Sequence, residues 1–213
     1  MRLVEALCEL FLPAACASCR ARHATGCGLC EHCAAGLPAT AMAAAPRTPG
    51  TPPVVVAGTY EGALAEALNE YKERGRRDLV PVLARLLGRA VDAVTEEVPG
   101  AVLVPIPSTR AARRERGFDH VAALCAPLGP MHRCLRARPR RDSVGLTAAQ
   151  RRHAAARSLA TVPRRTAVLA ASGRPVILVD DIVTTGATLS AAAAVLDGAG
   201  VRVVAATTVA AAV

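Results

Sequence analysis

The run Val176-Ile177-Leu178-Val179-Asp180-Asp181-Ile182-Val183-Thr184-Thr185-Gly186-Ala187-Thr188 reads as a strand, an acidic pair, a hydroxyl-rich turn and the start of a helix. Its first four apolar residues suit a strand buried on both faces, and open α/β sheets place ligands at the carboxyl ends of such strands. Adjacent carboxylates there, Asp180 and Asp181, can accept hydrogen bonds from two vicinal sugar hydroxyls. The turn that follows presents successive backbone N–H groups. Thr184, Thr185 and Thr188 add hydroxyl donors to a phosphate held at the positive end of a helix dipole. Gly186 lets the backbone approach without a Cβ in the way, and Ala187 continues the loop. Capping a helix needs only one of these threonines, so a sugar-phosphate loop accounts for more of the pattern than a cap does. The Gly-x-x-x-x-Gly-Lys arrangement is absent and no lysine is nearby, which argues against ATP hydrolysis.

Working outward, residues 187–199 form a small-residue helix ended by Gly198 and Gly200, and residues 201–208 a final strand. Upstream, residues 54–60 read as a strand, and Leu64, Leu68 and Tyr71 then fall on one helical face. Residues 79–98 continue as a second helix, residues 101–106 are an apolar strand closed by Pro107, and residues 118–128 read as helix. The Arg-rich span 133–165 has little apolar periodicity apart from a helix-like piece at 147–159, and is expected to be mobile. Strands alternating with helices predict an α/β fold with a mostly parallel sheet flanked by helices. Leu3, Leu7, Leu10 and Phe11 lie at helical spacing ahead of a cysteine-rich segment, and residues 34–53 are Ala, Pro, Thr and Gly with hardly any period. The expected division is a helix plus cysteine module at 1–40, a linker at 41–53 and the main domain at 54–213.

Composition fits one substantial core with a minor module: 213 residues, 52% hydrophobic, only 2% aromatic and no Trp. Burial therefore falls to Ala, Val and Leu. The net charge of +9 is almost entirely arginine, since Lys72 is the only lysine, and guanidinium groups favour bidentate contacts with phosphates. Anionic partners follow. The charge alone does not separate nucleic acid from a phosphorylated metabolite, but Phe11, Tyr60, Tyr71 and Phe118 are too scattered to make a stacking platform for single strands. No apolar run of about 18 residues lacks a charge or proline, so no membrane-spanning helix is expected. Pro13-Ala14-Ala15-Cys16 faintly resembles a lipoprotein cleavage site, yet Glu5 and Glu9 stand where an export signal needs an unbroken apolar segment. The expectation is a cytoplasmic protein, whose eight cysteines suit metal binding better than disulfides.

Cys16-Ala17-Ser18-Cys19 and Cys30-Glu31-His32-Cys33 are two C-x-x-C pairs within a short, loop-rich segment, a spacing that lets four thiolates surround zinc. Cys27 makes a further C-x-x-C pair with Cys30, and His23 is a weaker substitute ligand. Four thiolates leave no open coordination position, so such a site is structural. Cys8, Cys125 and Cys134 lack partners in sequence and read as packing residues.

The run 176–188 resembles the PRPP (phosphoribosyl pyrophosphate) motif of type I phosphoribosyltransferases. The chain more broadly resembles the ComF family of competence-associated proteins. That resemblance runs from the cysteine module through Tyr60-Glu61-Gly62, Lys72, Val104-Pro105-Ile106-Pro107, Arg116-Gly117-Phe118 and Gln150-Arg151. After Phe118 the family usually continues with an Asn and a Gln or His, whereas here Asp119 and His120 follow. The resemblance implies that Asp180 and Asp181 hold the ribose hydroxyls and that residues 184–188 hold the 5′-phosphate. It favours Cys30 with Cys33 as zinc ligands. It also implies that the loop Ser108-Thr109-Arg110 receives pyrophosphate, with Arg110, Arg113, Arg114 and Arg116 neutralising the leaving group. Lys72 and the following Arg74, Arg76 and Arg77 would face the same anion. Gln150 and Arg151 would lie in a hood that closes over the reacting centre.

Three functions follow as expectations. One is a Mg²⁺-dependent transfer of the phosphoribosyl group to an unidentified nitrogenous acceptor, with structural Zn²⁺ in the cysteine module. The second, implied by the ComF resemblance, is handling of single-stranded DNA in uptake or recombination. The third is PRPP sensing without turnover.

Overall fold

The computed structural model describes residues 15–138 and 158–212. The expected helix over residues 1–12 and the helix-like piece within 139–157 lie outside them. The described chain begins with the cysteine module, which carries the short helix α1 (Glu31–Ala35).

Four strands of the main sheet, β2 (Val54–Thr59), β7 (Val203–Ala211), β6 (Val176–Val183) and β3 (Val102–Pro105), run parallel. A fifth, β1 (Met42–Ala44), pairs antiparallel with β2 at the edge, giving the order β1–β2–β7–β6–β3. The fold class is the one expected, α/β with a mostly parallel sheet. β6 is buried at residues 176–179 because both faces of the sheet are covered. Its register pairs Val104 with Leu178 on one side and Asp180 with Thr208 on the other, which places the acidic pair inside the sheet's carboxyl end.

Two apolar layers flank this sheet. One joins Leu64, Leu68 and Tyr71 of α2 (Gly62–Glu73) to Leu83, Leu87 and Val91 of α3 (Val80–Glu97). The other joins Leu178 and Val176 to Leu189, Ala192 and Leu196 of α7 (Ala187–Asp197). With so few aromatics, α3 builds its buried stripe from Leu, Val and Ala, and Pro81 starts it where a missing N–H costs nothing.

Several local expectations change. The stretch read as a linker carries β1 and a strap beyond it, since Met42 pairs with Val56 and Ala44 with Val54. A three-residue strand of Met and Ala has too short a period to be seen in sequence. The Arg-rich span also contributes an ordered hairpin-like pair, β4 (Leu135–Ala137) with β5 (Leu159–Thr161), antiparallel. Helix α6 (Pro163–Ala171) leaves no apolar period in the sequence, because only Thr166 and Leu169 of it are buried. The helix expected over 118–128 is shorter, α5 (His120–Cys125), and is capped by Asp119, whose Oδ1 accepts from the Ala122 N–H at 3.3 Å.

The cysteine module packs on the α/β core. Cys16, Ala17, Leu29, Cys30 and Cys33 belong to the same apolar layer as Leu79 and Tyr71. Gly28, at φ 77°, lies so close to Leu79 that a Cβ would stand 2.8 Å from Leu79 Cδ2. Arg76 adds a clamp, donating to the carbonyls of Ala15 at 2.8 Å and Gly28 at 3.4 Å while paired with Asp78.

Candidate functional site

A cleft of about 450 Å³ opens at the carboxyl end of β6, lined by Tyr60, Lys72, Arg116, His120, Asp180, Asp181, Ile182, Thr184 and Ala212. Its size suits a small phosphorylated metabolite. Lys72 comes from the last turn of α2, Arg116 from the last turn of α4 (Arg110–Arg116), and His120 from the first residue of α5. Parallel strand order thus gathers residues from four separate chain segments at one edge.

The two aspartates differ sharply. Asp181 is buried, and its Oδ2 lies 2.7 Å from His120 Nε2 and 3.1 Å from Lys72 Nζ, ion-pair distances without the alignment of ideal hydrogen bonds. Its Oδ1 accepts from the Ile182 N–H at 2.7 Å. Burial alone would raise this carboxyl, but His120 and Lys72 outweigh it and hold the pKa down to about 2. Asp180 Oδ1 accepts from the Asp181 N–H at 3.0 Å. Burial, and then the neighbouring Asp181 charge, push Asp180 well above the usual carboxylate range. Asp181 is therefore already paired within the protein, whereas among the described residues Asp180 has no ion-pair partner.

Beyond the pair, Thr184 and Thr185 are exposed, and Gly186 takes φ 82° as it leads into α7. Thr185 Oγ1 accepts from the Ala187 N–H at 3.4 Å. The strap after β1 packs on this loop: the Thr48 N–H donates to the Thr185 carbonyl at 3.0 Å, and Thr51 Oγ1, which donates to the Thr48 carbonyl at 2.7 Å, lies 3.4 Å from the Gly186 carbonyl. A Cβ on Gly186 would stand 2.6 Å from Pro46 Cβ and 2.8 Å from Thr51 Oγ1. Gly186 is thus required on the strap side by the protein's own packing, a reason the sequence does not reveal.

The basic residues separate. Lys72 and Arg116 line the cleft, although Lys72 is paired with Asp181 and Arg116 reaches Glu73 at 3.6 Å. Arg110, Arg113 and Arg114 are exposed on α4 and are not among the residues lining the cleft. The turn after Lys72 does not face the cleft as expected. Arg74 pairs with Glu70 at 3.2 Å, Arg76 clamps the cysteine module, and Arg77 lies 4.7 Å over the Phe118 ring. Gln150 and Arg151 lie outside the described residues.

Sequence reasoning missed His120 and Tyr60 as cleft residues. His120 is 6% exposed, and its Nδ1 lies 2.9 Å from Ser108 Oγ. The one signal in sequence is its place four residues after Arg116, next to Asp119, where the ComF pattern usually has an Asn.

In the cysteine module the sulfurs of Cys16, Cys19, Cys30 and Cys33 all lie within 4.8 Å of one another. Four thiolates at about 2.3 Å from a zinc ion require a comparably tight cluster, so the donor set fits. Cys27 stands outside it, with its sulfur 3.1 Å from Thr25 Oγ1. The four clustered cysteines are those of the two C-x-x-C pairs, Cys16 with Cys19 and Cys30 with Cys33. Burial would raise Cys16, yet backbone N–H groups of Cys30, Cys19 and Ser18 bring it down to about 6. A Ser18 hydrogen bond lowers Cys33, but burial and the three neighbouring sulfurs push it up to about 11. Four sulfurs this close ionise together only around a cation. Among the described residues no other His, Cys, Asp or Glu cluster could hold a metal ion.

Fold and cleft together define a phosphoribosyltransferase-type α/β domain joined to a four-cysteine module. A family model described as the phosphoribosyl transferase domain matches residues 129–212. Competence protein ComFC of Bacillus subtilis (strain 168) is 30% identical to the chain over 137 residues, 63% of this chain and 54% of that protein. The match spans about half the length of this curated relative. The family resemblance seen in the residues is borne out by both comparisons.

Proposed function

We propose that the chain binds PRPP in the cleft at the end of β6 and transfers its 5-phosphoribosyl group to a nitrogenous acceptor. The reading is supported by the acidic pair and the Thr184-Thr185-Gly186 turn standing together at the carboxyl end of a parallel strand, within a segment matched by the phosphoribosyl transferase domain. The acceptor nitrogen donates its lone pair to the ribosyl C1, the C1–oxygen bond breaks, and pyrophosphate leaves with that electron pair. Asp180 and Asp181 hold the ribose hydroxyls and steady positive charge at the sugar, while residues 184–188, Ala187 and Thr188 among them, hold the 5′-phosphate. Lys72 and Arg116, which line the cleft, would meet the pyrophosphate. Mg²⁺ would arrive on the ligand's own pyrophosphate oxygens, because the described residues build no carboxylate cage for it. Zn²⁺ in the cysteine module is structural. A four-thiolate zinc site suits a reducing, cytoplasmic setting; among described residues no helix is long and apolar enough to cross a membrane.

The test is calorimetry with Mg²⁺-PRPP. Asp180→Asn should weaken binding at least about tenfold without lowering the melting temperature, and unchanged affinity would remove the assignment. Isotope exchange between pyrophosphate and PRPP then separates turnover from sensing. A second reading, handling of single-stranded DNA, is supported by the competence role in the relative's name and by the net charge of +9. Salt-dependent single-strand binding that is insensitive to PRPP and lost on removing residues 1–40 would favour it.

A further inference from the structure

The cleft holds a buried imidazole with no part in the transfer chemistry above. His120 contacts a partner at each nitrogen: Nε2 is 2.7 Å from Asp181 Oδ2, and Nδ1 is 2.9 Å from Ser108 Oγ in the turn between β3 and α4. Arg116 Nη1 also stands 3.4 Å from Nδ1. A guanidinium has no acceptor, so its approach favours a bare Nδ1 with the ring proton on Nε2. In that state the Ser108 hydroxyl hydrogen is committed to the ring.

The charged and titratable groups facing the imidazole come from three elements and one cap. Lys72 of α2 shares Asp181 with it, and Tyr71 of α2 donates its hydroxyl to the His120 carbonyl at 2.6 Å. Arg116 of α4 is backed by Glu73 at 3.6 Å. Asp119 caps its own helix, and Asp180 and Asp181 belong to β6. Lys72 and Arg116 oppose another positive charge at this point, whereas Asp181 supports it.

An anion in the cleft tips that balance. Lys72, Arg116 and His120 all line it. A phosphate oxygen that draws the Arg116 guanidinium away leaves Nδ1 facing Ser108 alone and adds negative charge, and both changes favour an imidazolium. Nδ1–H then donates to Ser108 Oγ, whose own hydrogen is freed to donate to the anion.

We propose that His120 is a proton-linked positioning residue: a pyrophosphate-type anion entering the cleft is accompanied by uptake of one solvent proton at His120, which turns Ser108 from a donor to the ring into a donor to the anion. This deepens the reading given above and rests on it only for the identity of the anion. The proton comes from solvent, and no covalent bond changes.

Inorganic pyrophosphate without metal is the probe, titrated calorimetrically into the full chain between about pH 6 and 8.5 in two buffers of different ionisation heat. The wild type should take up more protons than His120→Gln, by close to one. Its affinity relative to that variant should fall by up to about tenfold per pH unit as the pH rises. Equal uptake in the two proteins, or no pyrophosphate binding by the wild type, overturns the proposal. If His120→Gln melts early, Ser108→Ala decides, since affinity and proton uptake both unchanged in that variant would overturn it equally. Proton-linked pyrophosphate binding in a protein that ignores PRPP would sink the ribosyl-transfer reading and leave this one standing.

Discussion

Lys72 Nζ and Asp181 Oδ2 meet at 3.1 Å, so the chain's one lysine, a lining residue of the cleft, is already paired with a buried carboxylate. The Lys72 side chain is 23% exposed and that of Asp181 only 4%, which leaves little solvent to screen the pair. Removing one partner leaves Asp181 with His120 alone. Lys72→Met should destabilise the protein by roughly 2 kcal/mol in denaturant unfolding at pH 7, with Lys72→Arg recovering part of it. A loss below a few tenths would mean that His120 suffices.

The two aspartates should respond oppositely to amide substitution. The Asp181 pKa falls from 3.8 to about 2 on folding, so its ionised form contributes about 2 kcal/mol above pH 4 that is lost as pH falls through 2. Asp181→Asn should therefore lower the melting temperature at neutral pH, with a deficit that shrinks in acid. Asp180 is raised in the fold, and its charged form opposes folding at neutral pH. Asp180→Asn should raise the melting temperature at pH 7, with a gain that fades as pH drops toward 3.8. Thermal melts across pH 2–7 check both signs.

Gly186→Ala places a Cβ at a φ of 82° and against Pro46 and Thr51. The two effects together should cost about 2–4 kcal/mol. Pro46→Ala combined with it should recover only the steric part, because the backbone strain remains. Urea unfolding of the single and double variants separates the two.

Cys27→Ser should bind zinc as the wild type does, whereas Cys30→Ser should lose about one equivalent per chain and melt earlier. Metal analysis alongside melting curves reads both. Equal zinc in the two variants would place the metal elsewhere.

Much of the site is legible in the residues themselves. The run 176–188 announces its strand, acidic pair and helix start through one change of residue character. The two C-x-x-C pairs announce the sulfur cluster, though the spacing alone leaves Cys27 open. His120 is not legible as a cleft residue: a single buried histidine carries no periodic signal, and its partners Ser108 and Asp181 come from other segments. The turn after Lys72 shows the same limit. Arg74, Arg76 and Arg77 look alike in sequence, and only packing sends one to Glu70, one to the cysteine module and one onto Phe118.

Local chemistry, then, determined the α/β alternation, the strand–turn–helix run 176–188 and the four-sulfur cluster, because each rests on residues close together in the chain. Tertiary structure decided which aspartate is neutralised, which arginines reach the cleft and why residue 186 is glycine. Those answers depend on distances between segments brought together only by the parallel order β2–β7–β6–β3. Electrostatic and steric energies follow separation in space, and separation along the chain does not encode it.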